Sequence, residues 1–298
     1  MAPVSDQPQP GSSQDAMSYS VSPKRKWFGT FMTVLVTGCA LLLALPLFSI
    51  LWTVISRGAP SFSLDLFTQL PPPPLMKGGG FGNAIVGSLI VLGIAALISV
   101  PFGVMAAIFV SEFARGTKFA NFVRFGINVL SGVPSIIMGL FAYGVVVLAT
   151  GSFSALAGGI ALAILMVPIV ERTAEEGLKS VPMETRQGAI GVGATNFQTI
   201  TQIVLPAALP SIATGVTLSL ARASGETAPL LITALFNQYY AKGVLEPIAT
   251  LPVLIYNFAG APYKNQQALA WAASLLLVML ILVVSIIARS LSRRQTFG

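Results

Sequence analysis

The sequence predicts an all-α polytopic membrane protein with six transmembrane helices and both termini on the cytoplasmic side (N-in/C-in). Three observations carry that prediction. The 298 residues are 54% hydrophobic and only 9% charged, with a mean hydropathy of +0.81, whereas a soluble domain carries about 25% charged residues. Six apolar runs are long enough to cross a bilayer, for which about 20 residues suffice. The basic side chains, finally, gather in the segments that would lie on one side of those runs.

The elements follow in order. Residues 1–23 are rich in Ser, Pro and Gln and poor in large apolar groups, so they predict a disordered cytoplasmic tail. The tail lacks the basic start and immediate apolar core of a cleaved signal peptide. The basic "KRK" at 24–26 precedes an apolar run from Phe28 to Ile55, and 24–56 is the first membrane helix. Residues 57–81 contain "PPPP" and then "GGG", which no membrane helix tolerates. They predict an external Pro/Gly-rich loop in which the prolines form a stiff connector rather than a partner-binding segment. Further spans are expected at about 83–111, 122–149, 153–171, 207–236 and 266–289, and residues 290–298 form a basic cytoplasmic tail. Pro101, Pro134 and Pro168 fall in or near these helices, where neighbouring helices and small side chains re-satisfy the backbone.

Counting charges sets the orientation. With the N-terminus inside, twelve basic residues are cytoplasmic: Lys24, Arg25, Lys26, Arg115, Lys118, Arg124, Arg172, Lys179, Arg186, Arg289, Arg293 and Arg294. Four are external: Arg57, Lys77, Lys242 and Lys264. Only Arg222 falls on neither side. The net charge of +7 therefore reflects topology in a lipid-embedded chain rather than a nucleic-acid partner. There is no His and a single Cys, Cys39, which excludes a metal cluster, a disulfide framework and a Cys/His dyad.

Arg222 and Glu226 stand in "SLARASGETAPLL" (219–231), the only charged side chains between about Ala207 and Phe236. Arg222 lies 16 residues beyond Pro206, roughly 24 Å along a helix. A charge near the bilayer centre costs about 2.5–3.5 kcal/mol on insertion scales. At i and i+4 the two can pair on one helix face, and Ala221, Ala223, Ser224 and Gly225 let another helix or water approach. Two compatible readings stand: an ion pair that locks the helix to its neighbours, or an oxyanion pathway in which the planar fork of Arg222 binds the anion and Glu226 competes to keep that binding weak.

The segment 172–206 is the longest internal connection. "PMETRQGAIGVG" predicts a helix opened by Pro182 and Glu184 and closed by a glycine turn. "NFQTITQIVLP" then places Phe197, Ile200, Ile203 and Val204 at helical spacing. A helix, glycine turn and second helix lying flat on the cytoplasmic face would make a docking knob. Here the sequence resembles the permease subunits of ABC importers. Their motif runs EAA, three residues, G, nine residues, I, one residue, LP; Ala189, Gly193, Ile203, Leu205 and Pro206 fall at that spacing, with Gln187 and Gly188 where the family has Glu and Ala. The resemblance implies that 184–206 is the coupling helix segment that fits a cleft on an ATPase subunit.

"SGVPSIIMGL", "VPIVERTAEEGLKSVP", "ARASGETAP" and "ATLPVLIYNFA" sharpen the resemblance to the phosphate-specific permeases of the PstA type. It runs from about Gly82 to Ala288, within a type I importer membrane domain at 82–289. It implies that Arg172, with Arg222 and Glu226, is needed for phosphate passage; the residues alone equally allow Arg172 to be a topology anchor. It implies a heterodimer with a second permease subunit, two ATP-binding subunits and an external phosphate-binding protein, in the cytoplasmic membrane. No cofactor or metal is expected on this chain: ATP and Mg²⁺ belong to the partner ATPase subunits, because no G-x-x-x-x-G-K-[ST] occurs and "KGGGFGN" has its Lys before the glycines. Glu175 and Glu176 read as solvated loop charges. Permeases for sulfate or molybdate and a passive anion channel stay open as alternatives. A membrane enzyme would need a nucleophile with a base or paired carboxylates, and only Glu226 lies in an expected span away from its ends.

Overall fold

The computed structural model describes residues 23–76 and 78–294, with side chains as far as Ile286. The predicted tail over 1–22, Lys77 and residues 295–298 lie outside the described residues. Regular structure among the described residues is entirely helical. Its longer helices are α1 (Pro23–Gly58), α2 (Gly82–Phe113), α3 (Lys118–Gly132), α4 (Ser135–Thr150), α5 (Ala155–Lys179), α6 (Met183–Gly191), α7 (Asn196–Ser224), α8 (Leu251–Ala259) and α9 (Lys264–Arg294), with short helical turns at Ala59–Ser61, Asp65–Thr68 and Ala228–Leu231. Five helices are long and apolar enough to cross a membrane, and α3 with α4 makes a sixth, bent span.

The chain divides into two units, residues 1–52 and 53–298. In the first, the helix presents Trp27, Val34, Leu43, Phe48 and Trp52 outward; apolar on every side, it suits a lipid environment. The second unit opens with the last turn of α1, where Gly58 meets Leu275 of α9 and the Arg57 guanidinium sits 5.2 Å from the Trp271 ring centre.

Local signals explain where helices begin and end. Thr117 and Ser154 cap α3 and α5 by accepting from Ala120 and Ala157 backbone N–H groups at 3.2 and 3.1 Å, which satisfies free first-turn donors. Thr195 and Gln198 form a capping box at the start of α7. Gly193 takes a φ of 97°, a left-handed conformation that a glycine adopts without a Cβ clash.

Three elements differ from the sequence expectation. The span expected at 122–149 is bent by 105° between α3 and α4. Pro134 has no N–H and holds Val133 extended (ψ 132°), so the helix cannot pass through. α5 continues past residue 171 to Lys179, so Glu175 lies on a packed helix and is buried rather than a solvated loop charge. The stretch "NFQTITQIVLP" does not form a separate flat helix: it is the first part of the 29-residue α7, which ends at Ser224 rather than near 236. Pro206, whose ring would clash with the carbonyl four residues back, is accommodated by the wide π turn Ile200–Val204 just before it. Gly225 caps the helix end, and Pro229 stands in the first turn of the next short helix, Ala228–Leu231.

α2, α5 and α7 form the centre of the second unit through small residues. Gly103 lies against Val170, Gly177 against Ser211 and Gly215 against Thr173, the small-residue contact by which membrane helices approach closely. The order of these contacts makes α5 and α7 antiparallel. At one end of the bundle, Ala107, Leu178, Val204 and Ala208 pack together; at the other, Leu66, Phe81, Leu254 and Phe258 do so. The Pro-rich loop folds back at that second end: Phe81 N–H donates to Leu66 O at 2.9 Å and Gly80 N–H to Leu70 O at 3.1 Å.

Candidate functional site

Arg222 sits in the last turn of α7, and Glu226 lies just beyond the helix end. Gly225 N–H donates to Arg222 O at 3.3 Å and Glu226 N–H to Ala223 O at 3.2 Å, so the turn persists and keeps both side chains on one side. Arg222 Nε and Glu226 Oε1 are 3.9 Å apart, an ion pair too long to be a hydrogen bond. The Arg222 side chain is 56% exposed and that of Glu226 20%. Behind them, Ala223 is packed in the core with Val91, Leu162 and Leu230. The backbone is thus fixed while the guanidinium is available to an anion.

Arg172 lies on α5 and donates from Nη2 to Asn128 Oδ1 of α3 at 3.3 Å, in an exposed setting. It is not brought against Arg222. Thr173 faces Gly215, and Arg222 lies seven residues further along α7, about 10 Å at 1.5 Å per residue. The two arginines therefore occupy successive levels along the bundle.

One turn from Arg172 is a network that the sequence did not reveal. Glu175 Oε1 accepts from Arg124 Nε and pairs with Lys179 Nζ, each at 2.8 Å. Arg124 also reaches Asn121 Oδ1 at 3.1 Å and Val110 O at 3.4 Å. Glu171 is only 1% exposed, and its Oε1 has no hydrogen-bond partner. The i, i+4 spacing of Glu175 and Lys179 was the available signal; reading the apolar run as ending at 171 hid it.

The motif residues occupy 183–206. Ala189 is buried, Gln187 is exposed, and Ile203 and Leu205 are half-buried at the start of the α7 span, with Pro206 exposed. Several apolar side chains are exposed in this segment, Val192 at 88% and Phe197 at 69% with Met183 and Ile190, among exposed polar ones such as Gln187 and Gln198. In the same segment Arg186 is buried and pairs with Glu112 at the end of α2.

The family model described as a binding-protein-dependent transport system inner membrane component matches residues 99–297. The chain belongs to this family. The PstA phosphate transport system permease protein of Xylella fastidiosa is 44% identical over 244 residues, covering 82% of this chain and 85% of the relative. Its counterpart in Haemophilus influenzae is 45% identical over 240 residues, 80% and 85% of the two chains. Among solved structures, a bacterial alginate ABC transporter covers 92% of this permease and 97% of its own chain with a TM-score of 0.67 at 16% identity. The methionine transporter MetNI in an inward-facing form gives 0.59 at 19% identity over 71% and 94%. These two likenesses establish the shared fold of ABC importer permeases.

Proposed function

We propose that this permease imports inorganic phosphate as one of two related membrane subunits of an ABC importer. It works in the cytoplasmic membrane with both termini inside. The exposed apolar side chains of Met183, Ile190, Val192 and Phe197 receive one of two ATPase subunits, which bind ATP and Mg²⁺. A phosphate-loaded external binding protein docks at the opposite end, over the 59–81 and 235–250 loops. The observation that carries the reading is Arg222: an arginine more than half exposed, on a backbone otherwise packed in an apolar core, with a carboxylate held 3.9 Å away rather than bonded.

That arrangement suits transient anion contact. A guanidinium donates two parallel hydrogen bonds to a phosphate. Glu226 competes for the same donors, so the anion is held weakly and leaves. Phe197 and Arg222 lie on one continuous helical span, α7, so a push at the docking surface has a direct path along it to the anion contact. Arg172 and Asn128, about 10 Å nearer the docking end, supply the next polar station. Phosphate specificity is supported by the 41–45% identity to the PstA permeases of four bacteria.

The test is ATP-dependent uptake of radiolabelled phosphate into vesicles holding the complete complex. Arg222→Gln should lower uptake by at least tenfold in a normally assembled complex. Unchanged uptake would remove the pathway role of Arg222, and sulfate uptake exceeding phosphate uptake would remove the substrate assignment.

A further inference from the structure

The docking helix α6 is tied by the main chain to α5 through residues 180–182 and to α7 through the turn at Gly193. α2 has no such connection, since its end lies 74 residues away in sequence from Arg186. Yet α2 is one wall of the central bundle, packed along α5 through Gly103 and Gly159. A side chain of α6 that also bonds the end of α2 would carry a push on α6 to α2 directly, rather than only through the packing of α2 on α5.

The geometry points to the Arg186–Glu112 ion pair as that joint, and we infer that it is a positioning pair that couples docking-helix movement to α2 during transport. Arg186 Nη1 donates to Glu112 Oε2, Nη2 to Leu178 O at 2.6 Å, and Nε to Val181 O at 3.4 Å. One guanidinium thereby fastens α6 to the end of α5 and to α2. On the other side, Ser111 Oγ donates to Glu112 Oε1 at 3.4 Å. Both side chains are buried, and among the described residues this is the one ion pair joining α2 to α6.

The backbone at the joint fits the role. Glu112 sits in a π turn, Phe109–Phe113, where the extra residue shifts the helix register so that neighbouring Val110 and Ser111 are both buried and Glu112 meets Arg186. The same turn accepts from Arg124 at Val110 O, at 3.4 Å, and Arg124 in turn holds Glu175 of α5. The end of α2 is therefore gripped from two sides by arginines. A buried charge pair of this kind contributes little net stability compared with apolar residues of the same volume, which leaves a specific linkage as the property it supplies. Its directional bonds transmit displacement, whereas apolar side chains at an interface can slide.

The inference rests on the reading that 183–206 receives an ATPase subunit, and the experiment separates the two. The complete complex is reconstituted with wild-type chain, Arg186→Lys, and the double variant Glu112→Leu/Arg186→Met, which keeps apolar packing without the pair. Phosphate moved per ATP hydrolysed is measured for each, along with recovery of the ATPase subunits. The double variant should recover the ATPase subunits as wild type does while phosphate moved per ATP falls at least fivefold. Arg186→Lys, which keeps the charge but loses the fork, should fall between. A ratio equal to wild type in the double variant, or uptake falling only in proportion to recovered complex, would overturn the inference and leave the pair a structural contact. A wild-type complex that binds no ATPase subunit or moves no phosphate would instead overturn the functional reading.

Discussion

Arg222 and Arg186 are both arginines of the central membrane unit with one carboxylate partner each, and they are held in opposite ways. Arg222 is exposed, its carboxylate is beyond hydrogen-bond range, and among the described residues no further acceptor fixes the fork. Arg186 is buried, and its guanidinium is shared among a carboxylate and two backbone carbonyls. The first can exchange its partner for a passing anion at little cost, because an exposed pair contributes about 0.2–1 kcal/mol. The second cannot, because breaking it strands a charge in a dry site. On the reading proposed above, the same residue type serves contact in one place and connection in the other, and what separates them is the number of bonds and the depth of burial.

The largest effect that can break this comparison is on stability. Glu112→Ala leaves Arg186 buried without its carboxylate and should cost about 3–5 kcal/mol. That would appear as a clear drop in the thermal midpoint of the purified complex, while Glu112→Leu/Arg186→Met stays near wild type. A single variant as stable as wild type would mean that Arg186 is no more tightly held than Arg222. A smaller effect is expected between the two sites. A Cβ at Gly215 would collide with the Thr173 side chain, so Gly215→Val should spread α5 from α7 at a cost of about 1–3 kcal/mol. Measured in the same melting assay, with uptake beside it, a neutral result would show that α7 is free to shift against α5 at that level.

The two arginines also differ in how readily the sequence exposes them. Arg222 is conspicuous because it interrupts an apolar run, and its partner is four residues away, so periodicity alone pairs them. Arg186 sits among other charges in a polar connection, one of twelve topology-setting basic residues; nothing local links it to Glu112. The helices were legible from hydropathy, since lipid leaves a spanning backbone few alternatives. Their ends were less so. Charges begin at Glu171, which puts the expected end of α5 there, yet Glu175 is paired to Arg124 and Lys179 and the helix continues two turns further. Apolar residues continue beyond Gly225, which puts the expected end of α7 near 236, although Gly225 caps the helix. Hydropathy measures affinity for lipid; hydrogen bonding and packing decide where a helix stops.

The smallest expected effect sharpens the comparison most. Glu226→Gln removes the competing charge but keeps the size and a carbonyl acceptor near Arg222. Because the pair is 3.9 Å apart and the Arg222 side chain is 56% exposed, stability should change by less than about 1 kcal/mol. The functional consequence runs through the anion. With Glu226 neutral, the fork of Arg222 is no longer contested, so phosphate should bind it more tightly, by up to about fivefold for an interaction of about 1 kcal/mol. Tighter binding in the pathway slows release, so the half-saturating concentration and the maximal uptake rate of the reconstituted complex should fall together. Lost uptake with an unaltered half-saturating concentration would make Glu226 a scaffold for the helix end. Uptake identical to wild type in both parameters would mean that the pair is a bystander and that the anion passes elsewhere.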